Sequence, residues 1–371
     1  MKAVIMAGGF GSRLYPLTAK RPKPMVPLVN KPVLSHILGL LKHHHITDVI
    51  ITVKHMAEQV QDYFGDGSRF GMNITYALEE TPLGTAGGVK NAESYIGNEP
   101  FLVISSDIVT DIDLSKLIRY HREKQAKVTM ALKRVNNPKG YGIVLVDNRG
   151  SIQHLLEKPQ PDQIISNIVN TGIYILEPSV LEYMEPDTKY DFSYDIFPQL
   201  MDDKVPFFGY LASRYWRDMG TIQNYEQAVI DVLDGKVNHI RLENPIMPGT
   251  WSGKNVSIAS DTVLLGPIYI GDNVKIKQGA TIYGPTVIHD GSVIDRKAWI
   301  RHSVIDEGSY VGKQTTVYQS IIAQHSYVCP ESVIIRKLIH NEAQAAPMKF
   351  KLSPFPLSIK EYIMPGYSYS Y

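Results

Sequence analysis

The sequence predicts an α/β protein in which a doubly wound sheet is followed by a parallel β-helix. Two observations support this prediction. Short apolar strands alternate with helix-like segments over the first two-thirds of the chain, and isoleucine or leucine then recurs at every sixth residue. The chain has 371 residues, enough for two domains, and 44% of them are hydrophobic, which allows sizeable cores.

Charge and composition exclude several classes of function. The formal net charge is +1, with acidic and basic residues interspersed, so we expect no binding to nucleic acid or to a membrane surface. The apolar run at the start is too short for a signal peptide, and no stretch approaches the ~18 apolar residues of a membrane helix. Cys329 is the only cysteine, which fits a reducing compartment, and we expect a cytoplasmic protein.

Residues 1–235 are predicted to form the sheet and its helices. Strand-like runs lie at Ala3–Ala7, Val49–Val53, Ile74–Glu79, Phe101–Ser105, Val128–Arg134, Gly142–Val146, Ile152–Leu156, Ile168–Leu176 and Phe207–Tyr210. Helix-like segments lie at Val33–His44, Met56–Phe64, Thr85–Ile96, Leu114–Lys124 and Ile222–Leu233. Alternation of this kind is typical of parallel pairing, and the predicted fold class is a Rossmann-like doubly wound mixed sheet.

Hexapeptide repeats are predicted over residues 251–335, after a linker at 236–250. Isoleucine or leucine stands at 258, 264, 270, 276, 282, 288, 294 and 300, as expected for the inward side chains of a parallel β-helix. A changed corner is predicted near 301–304, after which the period resumes with Val304, Tyr310, Thr316, Ile322, Val328 and Ile334. Such a β-helix exposes apolar faces, so we expect a homo-oligomer. The tail at 336–371 has no predicted role.

A glycine-rich loop directly follows the first predicted strand. It contains Gly8, Gly9 and Gly11, then Arg13 and, further on, Lys23 between two prolines. Glycines let the backbone approach a ligand with its N–H groups pointing inward, and the two cations add positive charge where a polyphosphate would sit. The loop lacks the Gly-Lys-Ser/Thr ending of a Walker A motif and the third glycine of a dinucleotide fingerprint. We therefore predict a nucleoside triphosphate site.

Six segments in fixed order resemble the sugar-phosphate nucleotidyltransferases. They are Gly8–Met25, Leu83–Gly87, Ser106-Asp107, Glu157–Pro159, Asn170–Gly172 and Trp216–Gly220. The resemblance covers about residues 1–335 and implies a left-handed β-helix after the catalytic domain. It also implies magnesium-dependent transfer of a nucleotidyl group from an NTP to a sugar 1-phosphate, with release of pyrophosphate. Within the family, the motifs are most similar to those of the guanylyltransferases that use mannose 1-phosphate.

The resemblance implies a role for each matching residue. The implied catalytic residues are Arg13, Lys23, Asp107 and Asp218, of which Asp107 and Asp218 hold Mg²⁺, an ion that takes few protein carboxylates. The implied nucleotide-binding residues are Ala7, Gly8, Gly9, Gly11, Ser12, Arg13, Glu79, Gly84 and Thr85. The implied sugar-phosphate-binding residues are Gly142, Glu157, Lys158 and Asn170. Both substrates are anionic, so the site must chiefly neutralise charge and align the attack.

The choice of base is predicted to depend on Glu79, five residues before Gly84, where relatives that use uridine or thymidine tend to carry glutamine. Guanine presents two adjacent N–H donors that one carboxylate can accept, whereas uracil and thymine suit an amide. This favours GTP. If Glu80 takes that place instead, the argument still rests on a carboxylate.

Three alternatives stay open at this point. The enzyme could be a glucose-1-phosphate uridylyl-, thymidylyl- or adenylyltransferase, or the chain could be a non-catalytic regulatory homologue that binds nucleotide sugar. A second activity, acyl transfer, could reside in the β-helix, where His289, His302 and His325 lie. No partner motif for acyl transfer accompanies these histidines.

Overall fold

The computed structural model describes residues 1–340, and the remainder of the predicted tail, residues 341–371, lies outside the described residues. Among the helices of the described part, none is long and apolar enough to cross a membrane. The chain forms an α/β unit followed by a stack of short strands.

The strands of the α/β unit are β1 (Ala3–Ala7), β2 (Pro27–Leu28), β3 (Lys31–Pro32), β4 (Asp48–Val53), β5 (Asn73–Leu78), β6 (Phe101–Ser105), β7 (Ile108–Thr110), β8 (Val128–Arg134), β9 (Ile143–Val146), β10 (Ile152–Leu156), β11 (Ile168–Leu176), β12 (Phe207–Ala212) and β13 (Trp216–Asp218). Its helices are α1 (Val33–His43), α2 (Ala57–Phe64), α3 (Gly84–Asn91), α4 (Glu93–Ile96), α5 (Leu114–Glu123), α6 (Phe197–Asp202) and α7 (Ile222–Leu233). Every strand predicted from the sequence is present.

The main sheet has nine strands, with the order β10-β9-β11-β6-β1-β4-β5 and with β8 and β12 attached through β11. Strands β6, β1, β4 and β5 are parallel, whereas β11 is antiparallel to β6, β8 and β9, so the sheet is mixed. Alternation in β1 shows how both faces are buried, since Ile5 belongs to one core and Val4 to the other. Helices α1, α2 and α5 cover the first face, and α3, α4 and α6 cover the second.

One predicted helix is divided in the structure. The segment predicted as Thr85–Ile96 forms α3 and α4, which meet at Ala92. The Ala92 N–H donates to the Val89 carbonyl and the Tyr95 N–H to the Ala92 carbonyl, both three residues back rather than four. This tighter winding interrupts the α-helix, and it leaves no trace in the pattern of apolar residues.

The second unit consists of short strands arranged in three sheets, consistent with a left-handed β-helix. Its strands are β14 (Pro245–Met247), β15 (Thr250–Ser252), β16 (Ser257–Ile258), β17 (Val263–Leu265), β18 (Ile268–Ile270), β19 (Lys275–Ile276), β20 (Thr281–Tyr283), β21 (Thr286–Ile288), β22 (Val293–Ile294), β23 (Trp299–Arg301), β24 (Val304–Ile305), β25 (Tyr310–Val311), β26 (Thr316–Tyr318), β27 (Ile321–Ile322), β28 (Tyr327–Val328), β29 (Val333–Ile335) and β30 (Leu338–Ile339). From β15 onward, each strand pairs in parallel with the strand one coil later.

The coil length changes where the sequence predicts a changed corner. Ile270 pairs with Ile288, 18 residues on, whereas Ile288 pairs with Ile305, 17 residues on. The two-residue corner Gly284-Pro285 is replaced in the next coil by one residue, His302, in left-handed conformation (φ 49°).

This shorter coil corrects part of the predicted pattern. Ile305, Val311 and Val317 are the fully buried inward residues of the coil after the corner. The prediction had placed Val304, Tyr310 and Thr316 there. One residue is lost again at the next corner, so the predicted Ile322, Val328 and Ile334 do lie inside. A strict six-residue period cannot register the five-residue steps from Ile300 to Ile305 and from Val317 to Ile322.

A third apolar cluster joins the two units. Leu14 and Leu17, which follow the glycine loop, belong to the same cluster as Val287, Val304 and Ile321 of the β-helix. Helix α7 also contributes to this cluster. The predicted linker 236–250 takes part as well, since it buries Val237 and Ile240 and contains β14. The loop at the predicted nucleotide site is therefore packed directly against the β-helix.

Truncation of an inward residue is expected to destabilise the β-helix far more than truncation of its neighbour in the pattern. We expect Ile305→Ala to lower the free energy of unfolding by about 2 to 5 kcal/mol, because the coil interior cannot collapse around the lost methyl groups. Thr316→Ala is the control, since Thr316 is only half-buried. Urea unfolding followed by tryptophan fluorescence measures both. A larger loss in Thr316→Ala would contradict the coil register described above.

Candidate active site

Two acidic residues, Asp107 and Asp218, are brought together by a two-stranded ribbon. Strand β13 pairs antiparallel with β7, and Asp218 stands opposite Ile108, next to Asp107. The Met219 N–H also donates to the Asp107 carbonyl over 2.8 Å. Trp216 anchors this ribbon, because its indole N–H donates to the Thr171 carbonyl of β11 over 2.9 Å. The ribbon thus brings together two acidic residues that are 111 positions apart in the sequence.

The two predicted cations, Lys23 and Arg13, both influence the pKa values of these carboxylates. Lys23 forms an ion pair with Asp107, with the two side chains 13% and 21% exposed. Burial opposes the ionisation of Asp107, but the Lys23 ammonium outweighs it and holds the pKa of that carboxyl below its usual range. Burial and the neighbouring Asp107 charge raise the pKa of Asp218 to about 6, although Lys23 and Arg13 oppose the rise. The four predicted catalytic residues therefore form one electrostatic cluster.

The glycine loop begins at Ala7, the last residue of β1, whose N–H lies 3.4 Å from the Thr52 hydroxyl oxygen. Gly9 and Ser12 are exposed, as is Arg13. Gly11 has a left-handed backbone (φ 67°), and a β-carbon there would lie 3.0 Å from the Lys23 β-carbon. The loop therefore follows the stem of Lys23 so closely that only glycine fits at this point.

Glu79 lies against the base of this loop. Its side chain is 8% exposed, and a β-carbon on Gly8 would lie 2.5 Å from its Oε1. A β-carbon on Gly88, on α3, would lie 2.8 Å from the same oxygen. The Leu83 N–H donates to Oε2 over 3.2 Å. Burial raises the pKa of Glu79, because desolvation exceeds the effect of its hydrogen bonds with Leu83 and Thr52 and of the Lys54 charge.

Gly84 and Thr85 are the first two residues of helix α3, and both contact the segment 188–192. Gly84 has a left-handed backbone (φ 76°), and a β-carbon there would lie 2.4 Å from the Tyr190 carbonyl oxygen. The Thr85 hydroxyl donates to Asp191 Oδ2 over 2.9 Å and accepts from the Phe192 N–H over 3.0 Å. The hydroxyl of Thr85 is thus already committed within the protein.

The predicted sugar-phosphate residues form a second group. A β-carbon on Gly142 would lie 2.4 Å from Glu157 Oε2, so the carboxylate covers the glycine backbone. The ammonium of Lys158 lies 3.1 Å from Glu157 Oε1, and its side chain is 51% exposed. The backbone of Lys158 is left-handed (φ 45°), a conformation that is costly for a residue with a side chain.

Asn170 lies on β11 beside this group and is held at both ends of its amide. Its Nδ2 donates to the Tyr174 hydroxyl over 2.9 Å, and its Oδ1 accepts from the Gly172 N–H over 2.9 Å. One amide hydrogen and one lone pair remain for a ligand. The Thr171 side chain points away, since its hydroxyl donates to the Ala131 carbonyl over 2.7 Å.

The two carboxylates of Asp107 and Asp218 suit a divalent cation bound mostly by non-protein oxygens. Within residues 1–340, no group of three or more acidic, histidine or cysteine side chains could hold a metal. Burial and the charge of Asp107 raise the pKa of Asp218, and two such neighbouring carboxylates are nonetheless a favourable place for a cation. Mg²⁺ commonly takes one or two carboxylates plus substrate phosphates. The residues present therefore fit a metal that is shared with a phosphate ligand.

Comparison with known proteins agrees with this geometry. The family model described as nucleotidyl transferase matches residues 2–235. The chain belongs to the sugar-phosphate nucleotidyltransferase family. Members of this family generally use a divalent metal.

Three similar proteins illustrate the range of this family. A UTP–glucose-1-phosphate uridylyltransferase from Synechocystis sp. is 36% identical over 73% of this nucleotidyltransferase and 74% of the relative. A mannose-1-phosphate guanylyltransferase from Mycobacterium tuberculosis is 35% identical over 63% of this chain and 65% of the relative. The crystal structure of a putative glucose-1-phosphate thymidylyltransferase from Bacillus anthracis with sucrose superposes with a TM-score of 0.58 at 27% identity, covering 66% of this chain and 98% of that one.

Sequence reasoning missed two residues that organise the site of this nucleotidyltransferase. Asp111 bridges the segments around the ribbon of β7 and β13: its Oδ1 accepts from the Tyr215 N–H over 2.7 Å and its Oδ2 from the side-chain amide of Asn238 over 2.8 Å. Helix α5 is capped by Asp113 instead, whose Oδ1 accepts from the Lys116 N–H. Tyr174, which orients Asn170, was missed as well. The one feature of the sequence that could have indicated this role of Tyr174 is its position four residues after Asn170 on the same strand.

Neutralising Asp218 is expected to stabilise the metal-free enzyme at high pH. The pKa of Asp218 is about 6 in the folded state against an ordinary 3.8. The group therefore lowers stability as pH rises between these values, and the full loss is present above the folded pKa. We expect Asp218→Asn to raise the free energy of unfolding by roughly 2 to 3 kcal/mol at pH 8 and by almost nothing at pH 4.

Urea unfolding in the presence of a chelator across this pH range measures the effect. The control is Asp187→Asn, which removes a carboxylate from an exposed turn and should change the free energy of unfolding little at either pH. A metal-free Asp218→Asn variant that is less stable than the wild type at pH 8 would contradict the described repulsion between the two acids.

Proposed function

We propose that this enzyme is a magnesium-dependent mannose-1-phosphate guanylyltransferase, which converts GTP and mannose 1-phosphate into GDP-mannose and pyrophosphate. The observation that carries the choice of GTP is the buried carboxylate of Glu79 beside Gly8 and Gly88. The observation that carries the reaction is the cluster of Arg13, Lys23, Asp107 and Asp218.

The position of Glu79 supports recognition of guanine. Its carboxylate accepts from the Leu83 N–H and interacts with Thr52, and a carboxylate offers about four lone-pair sites, so capacity for ligand donors remains. Guanine carries adjacent N1–H and N2–H donors that a carboxylate can accept together, whereas uracil and thymine present one donor between two acceptors. A base bound across Gly8 and Gly88 would meet this acceptor.

In the proposed reaction, an oxygen of the sugar phosphate attacks the α-phosphorus of the nucleotide. A new P–O bond forms there while the bond to the bridging oxygen of the β-phosphate breaks, and pyrophosphate leaves with that electron pair. Arg13 would stabilise charge on the triphosphate and on the leaving pyrophosphate. Lys23 would offset charge at the α- or β-phosphate, so the anionic reactants can approach each other.

The second substrate is assigned to the group around Gly142. Glu157 would accept hydrogen bonds from sugar hydroxyls, and Lys158, whose ammonium is half-exposed beside Glu157, would neutralise the sugar phosphate. Gly142 would contribute its backbone, and Asn170 its remaining hydrogen-bonding capacity. Mannose is favoured through the guanylyltransferase relatives. The Synechocystis relative is named for glucose 1-phosphate, which makes that sugar the second candidate.

Asp107 and Asp218 are the proposed magnesium ligands. When bound there, the cation would supply positive charge to the phosphate oxygens at the point where negative charge develops. The two carboxylates would hold it near the carboxyl end of β6. The predicted homo-oligomer stays a prediction.

A matrix of the four NTPs against mannose and glucose 1-phosphates tests the substrate pair. We expect the fastest pyrophosphate release with GTP and mannose 1-phosphate in the presence of Mg²⁺. Asp107→Asn and Asp218→Asn are each expected to lower kcat by about 100-fold or more, since both would bind the cation.

The same matrix distinguishes the alternatives. Dominance of UTP or dTTP with glucose 1-phosphate would overturn the base assignment while leaving the metal ligands in place. Nucleotide-sugar binding without any pyrophosphate release would indicate a non-catalytic homologue. Undiminished turnover in both aspartate variants would refute the proposed metal site.

Replacing Glu79 by glutamine should change the choice of base. We expect Glu79→Gln to lower kcat/KM for GTP by about 10-fold to 100-fold, the value of one or two charge-assisted hydrogen bonds, and to favour UTP or dTTP in relative terms. Glu80→Gln is the matched control, because Glu80 is the adjacent, exposed glutamate. The outcome that contradicts the assignment is an unchanged GTP preference in Glu79→Gln, or a larger change in Glu80→Gln.

A further inference from the structure

A buried ion pair links the nucleotide-binding loop to the β-helix. Nη1 of Arg21 lies 3.3 Å from Oδ1 of Asp306, and the two side chains are only 8% and 1% exposed. Nη2 of Arg21 lies 3.8 Å from Oε2 of Glu307, whose side chain is 51% exposed. An arginine buried at the joint between two units is costly unless it is paired, so the pair constrains where Arg21 can lie.

The chain between Arg21 and Lys23 is stiff. The intervening Pro22 has a fixed φ (−71°), and Pro24 restricts the backbone of Lys23 from the other side. The Met25 N–H donates to the Pro22 carbonyl over 2.9 Å, which closes a short helical turn over Lys23–Met25. A displacement of Arg21 is therefore transmitted to Lys23 rather than absorbed by the backbone.

The position of Lys23 in turn determines the geometry of the site. Its ammonium pairs with Asp107, and its stem packs against Gly11, where a β-carbon would lie 3.0 Å away. The carbonyl of Gly11 is held by the Thr18 hydroxyl over 3.0 Å. A shift of Lys23 would thus move a cation and the glycine loop together.

The β-helix side of the pair is rigid. Asp306 follows β24, and its N–H donates to the Ile322 carbonyl of the next coil over 2.8 Å. The Asp306 Oδ1 also accepts from the Glu307 N–H over 2.8 Å. The pairing between coils and this local hydrogen bond hold the Asp306 carboxylate in place. Asp306 is therefore the fixed partner of the ion pair, and Arg21 is the residue that it positions.

We propose that Arg21 is a positioning residue for nucleotidyl transfer, and that the β-helix places Lys23 through the Arg21–Asp306 ion pair. This inference rests on the proposed function of Lys23. It assigns the β-helix a direct part in the reaction rate, beyond packing against the α/β unit. The expected signature is a loss in kcat, because the lysine acts on charge that develops as the α-phosphorus is attacked.

The test compares full-length variants with the substrate pair that the wild type uses best. We expect Asp306→Asn, which keeps the shape and removes the charge, to lower kcat by about 10-fold to 100-fold, as small misplacements of reacting groups do. Arg21→Ala should give a similar loss. The double variant should be no slower than the slower single variant, because both remove the same interaction.

Two comparisons distinguish positioning from a merely structural role. In a Lys23→Ala background, Asp306→Asn should change kcat by less than about twofold, since its effect passes through Lys23. The matched control is Asp295→Asn, which breaks the 3.2 Å pair between Lys277 and Asp295 within the β-helix. It should leave kcat within about twofold of the wild type. Arg21→Lys, which keeps the charge but not the forked geometry, serves if Arg21→Ala fails to fold, and an intermediate loss is expected.

Two results would overturn the inference: an Asp306→Asn variant with a kcat like that of the wild type, or one whose full loss persists in the Lys23→Ala background. A wild type that releases no pyrophosphate with any substrate pair would instead reject the proposed function, and this inference with it.

Discussion

The close approach of two half-buried carboxylates, Asp107 and Asp218, is the constraint on which the rest of this molecule depends. The ribbon of β7 and β13 places Asp218 beside Asp107, and burial together with the charge of Asp107 raises the pKa of Asp218. Backbone pairing, the anchored indole of Trp216 and the packing of α7 enforce a proximity that the charges oppose. Lys23 partly relieves this opposition through its ion pair with Asp107. Two acids held this close form a favourable place for a cation.

The loop at the proposed nucleotide site contacts two units at once. One side of the loop is attached to the parallel sheet through β1. Its other side, from Leu14 onward, shares an apolar cluster with the β-helix and contributes Arg21 to a buried ion pair there. Loops are ordinarily the least constrained parts of an α/β fold. Here the segment that carries the cations is fixed by contacts on both sides, as preorganised charge stabilisation requires.

The sequence predicts local structure well and distant pairing poorly, for physical reasons. Strands such as Ala3–Ala7 and Phe101–Ser105 match the structure residue for residue, because burial on both faces makes them continuously apolar. Arg13, Lys23, Asp107 and Asp218 lie in one electrostatic cluster, and the roles that the resemblance implies for them stay predictions. The pair Arg21–Asp306 spans 285 positions and leaves no periodic trace. The inward phase after residue 301 was wrong for one coil, since Val304, Tyr310 and Thr316 satisfy a six-residue rule as well as their inward neighbours do.

The constant pairing from coil to coil has a consequence for how such a chain can change in length. A single residue inserted within a strand would move the inward side chains that follow it to the outer face. At the corner, by contrast, His302 accommodates a missing residue by adopting a left-handed backbone. Whole coils can therefore be gained or lost without disturbing the ladder, and corners tolerate single deletions. The coil bearing Asp306 is the exception, because its height along the stack must remain level with Arg21. We therefore expect coils to be gained or lost before or after the coil that bears Asp306, but not at that coil.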